Sequence, residues 1–249
     1  AALSYLVQNT SKPVVLTGSQ LPVGVLRSDG KSNLVNAIEM ASAVDEKGRP
    51  MVKEVCVCFG DTLYRGNRVT KFSAENFDAF ISANLPVLAK AGVHVKWSRG
   101  ADVSRDEDAS APFRLQEKLD SRVLILKIHP GLTPKTILSL LENNDLKGLV
   151  LETYGSGNAP TSKEFIQALG TAAKRKMPVV NVTQCAEGSV EMGKYAASTQ
   201  LLEAGVVSGR DMTCEAAVTK MMYLLGKGAD YAETCRLLGE PLRGEMSGS

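Results

Sequence analysis

The chain has 249 residues, 44% of them hydrophobic and 22% charged, a globular composition rather than a disordered, collagenous or coiled-coil one. At about 150 residues per domain, that length fits one large domain or two small ones. The 29 lysines and arginines balance 27 aspartates and glutamates to a net charge of +2, which argues against bulk electrostatic capture of nucleic acid, and no apolar run approaches the roughly 18–20 residues needed to span a bilayer.

Ala1-Ala2-Leu3-Ser4-Tyr5-Leu6-Val7 reads as an amphipathic helix already under way, with no capping residue, turn or strand before it, which predicts a preceding segment. Residues 14–17 form a short buried-type strand, followed by a loop rich in Gly, Ser and Pro as far as Gly30. A helix is expected over 33–44, with Leu34, Ala37, Ile38 and Ala41 on one face and Ser32 as its cap. Residues 52–59 are the next strand, 60–76 a polar loop without periodicity, 93–97 a strand-like run, and 98–117 a charged linker. A second set follows: strands at 123–128, 148–152 and 179–183, and helices at 133–143, 162–174, 213–225 and 229–238.

Strands alternating with helices, with near-continuous apolar runs in the strands, are the pattern of parallel sheets covered on both faces. The expected fold is therefore α/β: two three-layer α/β domains with mainly parallel sheets, over 1–97 and 121–249, joined by a linker at 98–120. The five cysteines are odd in number and widely spaced, and no secretory segment is present, which points to reduced thiols in the cytosol. Cys56 and Cys58 share one face of a strand and are expected in the core rather than at a redox or metal site. His94 and His129 lie at no ligand spacing, so no structural zinc is expected.

In open parallel sheets, ligands bind beyond the carboxyl ends of the strands. Four post-strand loops qualify: Thr17-Gly18-Ser19-Gln20, the Gly66-Asn67-Arg68-Val69-Thr70-Lys71 segment, Tyr154-Gly155-Ser156-Gly157-Asn158, and Thr183-Gln184-Cys185. The third lacks the last glycine of a dinucleotide fingerprint and carries Pro160 instead, so its glycines serve a turn or a close backbone approach. No phosphate-binding P-loop, nucleophile elbow or Ser/His/Asp trio occurs. Lys71 is either a surface charge or a partly desolvated proton shuttle, and residue type leaves both open.

At the same four loops the sequence closely resembles the L-asparaginases of the cytosolic, type I kind. Lys12-Pro13-Val14-Val15-Leu16-Thr17-Gly18-Ser19-Gln20-Leu21-Pro22, Leu26-Arg27-Ser28-Asp29-Gly30, Asn33-Leu34-Val35-Asn36-Ala37 and Leu63-Tyr64-Arg65-Gly66-Asn67-Arg68-Val69-Thr70-Lys71 carry the resemblance in the first half. Phe77-Asp78-Ala79-Phe80, Tyr154-Gly155-Ser156-Gly157-Asn158-Ala159-Pro160, Asn181-Val182-Thr183-Gln184-Cys185, Asp211-Met212-Thr213 and Leu242-Arg243-Gly244-Glu245 complete it, in order along the chain.

The resemblance implies hydrolysis of L-asparagine to L-aspartate and ammonia through a threonine acyl-enzyme, assisted by a threonine–aspartate–lysine relay. It places the relay lysine, a catalytic role, at Lys71, a substrate-pocket position at Ser19, and at Asn158 a residue that completes a neighbouring subunit's site. It further implies a cytoplasmic homodimer or homotetramer that needs neither cofactor nor metal. Two departures stand out. The family's Thr-Gly-Gly-Thr and Gly-Thr-Asp-Thr motifs, which hold the nucleophile and the rest of the relay, do not occur in these 249 residues, so the N-terminal domain reads as truncated. Where regulated type I enzymes have an arginine that holds an allosteric asparagine, this chain has Glu152, which would repel a carboxylate. Two other readings follow: a catalytically dead amino-acid-binding module, or the amide-cleaving subunit of a tRNA-dependent amidotransferase. The near-neutral charge weighs against the latter. Some larger relatives carry a lysophospholipase label, yet nothing in this sequence supports lipid contact.

Overall fold

The computed structural model describes residues 1–98, 111–143, 145–193 and 196–248. The chain divides into two compact units, an N-terminal one through Gln116 and a C-terminal one from Glu117. Residues 99–110 of the expected linker lie outside the described residues.

In the N-terminal unit, helix α1 (Ala2–Leu6) passes directly into β1 (Val7–Gln8), so the expected opening helix ends one residue early. β2 (Val14–Leu16) leads through a loop to α2 (Gly30–Ser42), and β3 (Val55–Phe59) pairs in parallel with β2. The segment expected as a loop over 60–76 instead holds β4 (Thr62–Arg65) and β5 (Thr70–Lys71). Its polar residues hide the strand because they are paired. Arg65, 3% exposed, donates from Nε to Glu54 Oε2 at 2.7 Å and from Nη2 to Oε1 at 3.2 Å. Gly60, at φ +62°, and Asp61 close a two-residue hairpin between Phe59 and Thr62, a turn that favours glycine at positive φ.

β6 (Phe80–Ile81) pairs antiparallel with β5, and β7 (Ala89–Lys90) and β8 (Lys96–Trp97) complete a sheet of order β2-β3-β4-β7-β8. That sheet is mixed: β3–β4, β4–β7 and β7–β8 are antiparallel. β9 (Arg114–Leu115), within the stretch expected as linker, pairs with β1. Beneath α2, the core gathers Ala37, Met40, Val52, Cys56, Cys58, Leu63 and Leu88. Cys56 and Cys58 are thus core residues, and burial pushes both thiols up, that of Cys58 to about 11.

Helix α2 departs from the expected face. It starts at Gly30, with Asp29 at the cap position, and Ser32 lies inside it, its Oγ donating to Asp29 O at 3.0 Å. Leu34 and Ile38 are 52% and 60% exposed, whereas Asn33, 1% exposed, turns inward with Ala37 and Met40. A buried amide must be hydrogen-bonded. Asn33 finds its partners on the sheet side, and that sets the helix rotation.

The C-terminal unit is a four-stranded parallel sheet in the order β10 (Val123–Lys127), β11 (Gly148–Thr153), β12 (Val179–Thr183), β13 (Val206–Ser208). The connecting helices are α3 (Pro134–Leu141), α4 (Lys163–Lys174) and α5 (Ala196–Glu203), followed by α6 (Cys214–Lys227) and α7 (Tyr231–Leu238). The α5 and β13 elements were not expected from the sequence. Four of the helices start at side-chain caps: Thr133, Ser162, Thr213 and Asp230 each accept from a backbone amide three residues on. Alternation along β11 covers both sheet faces. Leu149 and Leu151 join Ile137, Leu141, Phe165 and Leu169 on the α3–α4 side. On the other side Gly148 leaves room for Met221 of α6: a Cβ at 148 would stand 2.8 Å from its Cγ.

Past α7 the chain is anchored by a wholly buried ion pair, Lys220 Nζ to Glu245 Oε1 at 2.7 Å. The ammonium also donates to the carbonyls of Leu238 (3.3 Å) and Glu240 (2.6 Å), while the carboxylate accepts from the amides of Leu242 (2.9 Å) and Arg243 (2.6 Å). Burial acts to raise the Glu245 pKa, but the charge and hydrogen bond of Lys220, with the two amides, hold it below the usual carboxylate value. Removing one member of such a pair leaves an uncompensated buried charge. Lys220→Met is expected to cost about 3–5 kcal/mol in urea unfolding, and adding Glu245→Gln should recover part of that loss.

Candidate active site

β2 and β3 run in parallel, so their carboxyl ends, Leu16 and Phe59, lie on the same side of the sheet. The chain leaves β2 as Thr17-Gly18-Ser19-Gln20-Leu21 and returns to α2 at Gly30. This loop is held by one carboxylate. Asp29 accepts from the amide of Gln20 (3.0 Å to each oxygen), the amide of Leu21 (3.1 Å) and Asn33 Nδ2 (2.9 Å). Burial acts to raise the Asp29 pKa, yet these hydrogen bonds, with one from its own amide, outweigh it and hold the carboxyl below its usual value. Asp29 thus serves the loop rather than capping α2 by side chain.

Asn33 ties the loop to the sheet. Its Nδ2 also donates to Gly18 O at 2.8 Å, and its Oδ1 accepts from Gly60 N at 3.1 Å. Asn36, three residues on and about one turn further along the helix, donates to Gly60 O at 2.9 Å. Both strand ends are thereby fixed to one helix. Ser19 stands exposed in the loop, packed where Gly30 lacks a side chain: a Cβ at 30 would lie 3.3 Å from that of Ser19.

Lys71 arrives by a separate route. Gly66 lets the chain cross close to β3, donating its amide to Val55 O at 2.8 Å, and a Cβ there would sit 2.8 Å from the same oxygen. β5 then places Lys71 opposite Phe80 of β6. The Lys71 ammonium lies 5.7 Å from the Phe80 ring centroid and donates to Gln20 Oε1 at 3.0 Å. The structure therefore brings the Ser19 loop and Lys71 together. Gln20, Asp29, Asn33 and Phe80, which perform this, lie in the motifs that carry the resemblance, but the sequence assigns them no individual role. The spacing of Asp29 and Asn33, one helical turn apart at the start of α2, was the available signal.

Asn158 belongs to the C-terminal unit, in a closed turn at the carboxyl end of β11. Its amide donates to Tyr154 O at 2.8 Å, and Tyr154 N donates to Asn158 O at 3.0 Å. Gly155 and Gly157, at φ +50° and +109°, supply the positive dihedrals, and Thr183 Oγ1 braces the turn by donating to Gly155 O at 2.6 Å. The Asn158 side chain is exposed. Nearby, Glu152 faces Lys127 across β10–β11, and the Cys214 thiol is pushed up strongly, first by burial and then by the Glu152 charge.

Residues 1–102 match the family described as "Asparaginase, N-terminal", and residues 122–238 match the "Glutaminase/Asparaginase C-terminal domain". The chain is 40% identical over 247 residues to L-asparaginase 1 of Escherichia coli K12, covering 99% of this chain and 70% of that protein. It is 40% identical over 248 residues to the 60 kDa lysophospholipase of Mus musculus, covering 99% of this chain but 42% of that one. The crystal structure of L-asparaginase I from Vibrio cholerae superimposes with a TM-score of 0.90 at 40% identity, over 99% of this chain and 72% of that chain.

Asp29→Asn keeps the shape of the side chain and removes its charge. Because the folded carboxyl titrates below its ordinary value of about 3.9, the stability its charge contributes is fully present above that value and is lost as pH falls through the lower folded one. Urea unfolding should show the wild type above the variant at neutral pH, the gap closing from about pH 4 downward.

Proposed function

The chain belongs to the asparaginase family, and we propose that it forms the larger part of an enzyme hydrolysing L-asparagine to L-aspartate and ammonia through a threonine acyl-enzyme. The observation that carries this reading is the meeting of Lys71 with the Ser19–Gln20 loop at the carboxyl end of β2. An amine held beside a substrate-lining loop is what amide cleavage by a weak hydroxyl nucleophile requires.

In this scheme a threonine Oγ attacks the side-chain amide carbonyl while its proton passes through the threonine–aspartate–Lys71 relay. Protonation of the departing nitrogen breaks the C–N bond and releases ammonia. Water then adds to the ester, and the O–C bond to threonine breaks to free aspartate. Being acyl transfer without redox change, the reaction calls for no cofactor. The threonine nucleophile and the relay threonine and aspartate are supplied by sequence outside these 249 residues, since their motifs do not occur within them. Ser19 lines the substrate pocket. Asn158 completes the site of a neighbouring subunit in a homodimer or homotetramer, and the protein acts in the cytoplasm. The truncated N-terminal domain is taken to span 1–97, the linker 98–120 and the C-terminal domain 121–249, the linker returning one short strand, β9, to β1.

Glu152 favours a second statement, about regulation. At the end of β11 it sets a carboxylate beside the Cys214 thiol, a surrounding hostile to an amino acid's own carboxylate. Asparagine saturation is therefore expected to be closer to hyperbolic than in allosteric relatives, and a steeply sigmoidal velocity curve would contradict this.

Ammonia release tests the main reading. The 249-residue chain is expected to be silent by itself and to turn over L-asparagine when expressed as one polypeptide with a segment carrying the Thr-Gly-Gly-Thr and Gly-Thr-Asp-Thr motifs. In that enzyme Lys71→Met should reduce turnover by roughly 10²–10⁴-fold with unfolding unchanged. Near-normal activity of the variant would remove Lys71 from the mechanism, and failure of the joined enzyme to release ammonia would favour a binding module.

A further inference from the structure

We propose that Gln20 is a positioning residue that fastens the Lys71 amine to the substrate-lining loop, so that loop and amine move as one body; this rests on the role of Lys71 proposed above. A lysine side chain has four rotatable bonds and loses up to about 2 kcal/mol of rotamer freedom when fixed. Lys71 is exposed on a strand of two residues, a setting that does little to fix it. Two contacts do so instead. The Phe80 ring lies beside the ammonium, itself packed at a tilt against Phe59 with centroids 5.1 Å apart, and its residue is tied through the carbonyl to the Tyr64 hydroxyl at 3.0 Å. From the other chain segment, Gln20 Oε1 accepts the Lys71 N–H at 3.0 Å.

The Gln20 side chain can point one way round. Its Nε2 donates to Asn76 O at 2.8 Å and to Ser73 O at 3.4 Å. Reversing the amide would set its NH₂ against the ammonium and its oxygen against two carbonyls. The backbone amide of Gln20 is meanwhile gripped by both oxygens of Asp29. A continuous path therefore runs from the Asp29 carboxylate through Gln20 to Lys71, and Ser19 is the next residue along the chain. The separation between substrate-lining loop and relay amine is set by this one side chain. Catalytic groups displaced by about 1 Å lose on the order of 10²-fold in rate, so the contact bears on the chemical step more than on substrate affinity.

The test uses the joined, active enzyme with two variants. Gln20→Met removes both acceptor and donor at similar volume, whereas Gln20→Glu keeps an oxygen for Lys71. Gln20→Met is expected to lower kcat on the order of 10- to 100-fold with KM changed by less than about threefold, and Gln20→Glu, which keeps the acceptor for Lys71 but loses the donor to Asn76 and Ser73, to recover only part of kcat. Two results would overturn the proposal: an unchanged kcat in Gln20→Met, or a rise in KM with kcat intact, which would make Gln20 a substrate ligand. Lys71→Met run alongside separates the two levels. If that variant stays active, the role of Lys71 fails; if it is inactive while Gln20→Met is normal, the role of Gln20 alone fails. Should Gln20→Met not yield folded enzyme, ¹³C relaxation at the Lys71 Cε of the joined enzyme, compared between wild type and Gln20→Glu, reads the tether directly. Order at Cε that is high in the wild type and kept in Gln20→Glu supports it; a freely rotating Cε in the wild type refutes it.

Discussion

A single buried amide organises the N-terminal unit. Asn33 reaches Gly18 beyond β2, Gly60 beyond β3 and the Asp29 carboxylate with one side chain. Gly60 and Asp29 are half-buried and Gly18 is exposed, so it is the buried Asn33 amide that most needs these bonds. The rotation of α2, the path of the loop that carries Ser19 and Gln20, and the tightness of the Gly60-Asp61 turn all follow. Apolar packing under Ala37 and Met40 holds the helix to the sheet, but many rotations would bury comparable area; the amide selects one.

The two units use lysine in opposite ways. Lys220 is fully buried, neutralised by Glu245 and surrounded by carbonyls, an arrangement that spends its charge on holding a chain segment in place. Lys71 remains exposed, touching a neutral amide and an aromatic face. Neither partner cancels its charge. The same contrast separates the carboxylates, since Glu245 faces a cation and Asp29 faces backbone amides.

Much of this architecture could be read from the sequence, and the misreadings have a common cause. The parallel strands 123–127, 148–153 and 179–183 are apolar runs bounded by turns, and the helices that follow the first two begin at a threonine and a serine cap, so local pattern and tertiary role coincide. β4 escaped because Arg65 is buried through its pairing with Glu54, eleven positions earlier, which no local pattern reveals. The inward face of α2 was misjudged because Leu34 and Ile38 look like core residues and Asn33 does not; long-range partners at Gly18 and Gly60 reverse that order. At the site, Lys71 and Ser19 were legible through motif resemblance. Gln20 lies in the same motif, but its tie to Lys71 was not legible, since that contact spans 51 positions.

The bond from Gly60 N to Asn33 Oδ1 has a kinetic side. An amide in a two-residue turn ordinarily exchanges its proton with water as fast as the turn breathes. Here it can exchange when α2 lifts from the sheet, because the acceptor belongs to the helix. The same lifting frees Gly18 and slackens the hold on Asp29. One hairpin proton therefore keeps time for the loop that carries Ser19 and Gln20, and its exchange rate is a measure of how often that loop comes undone.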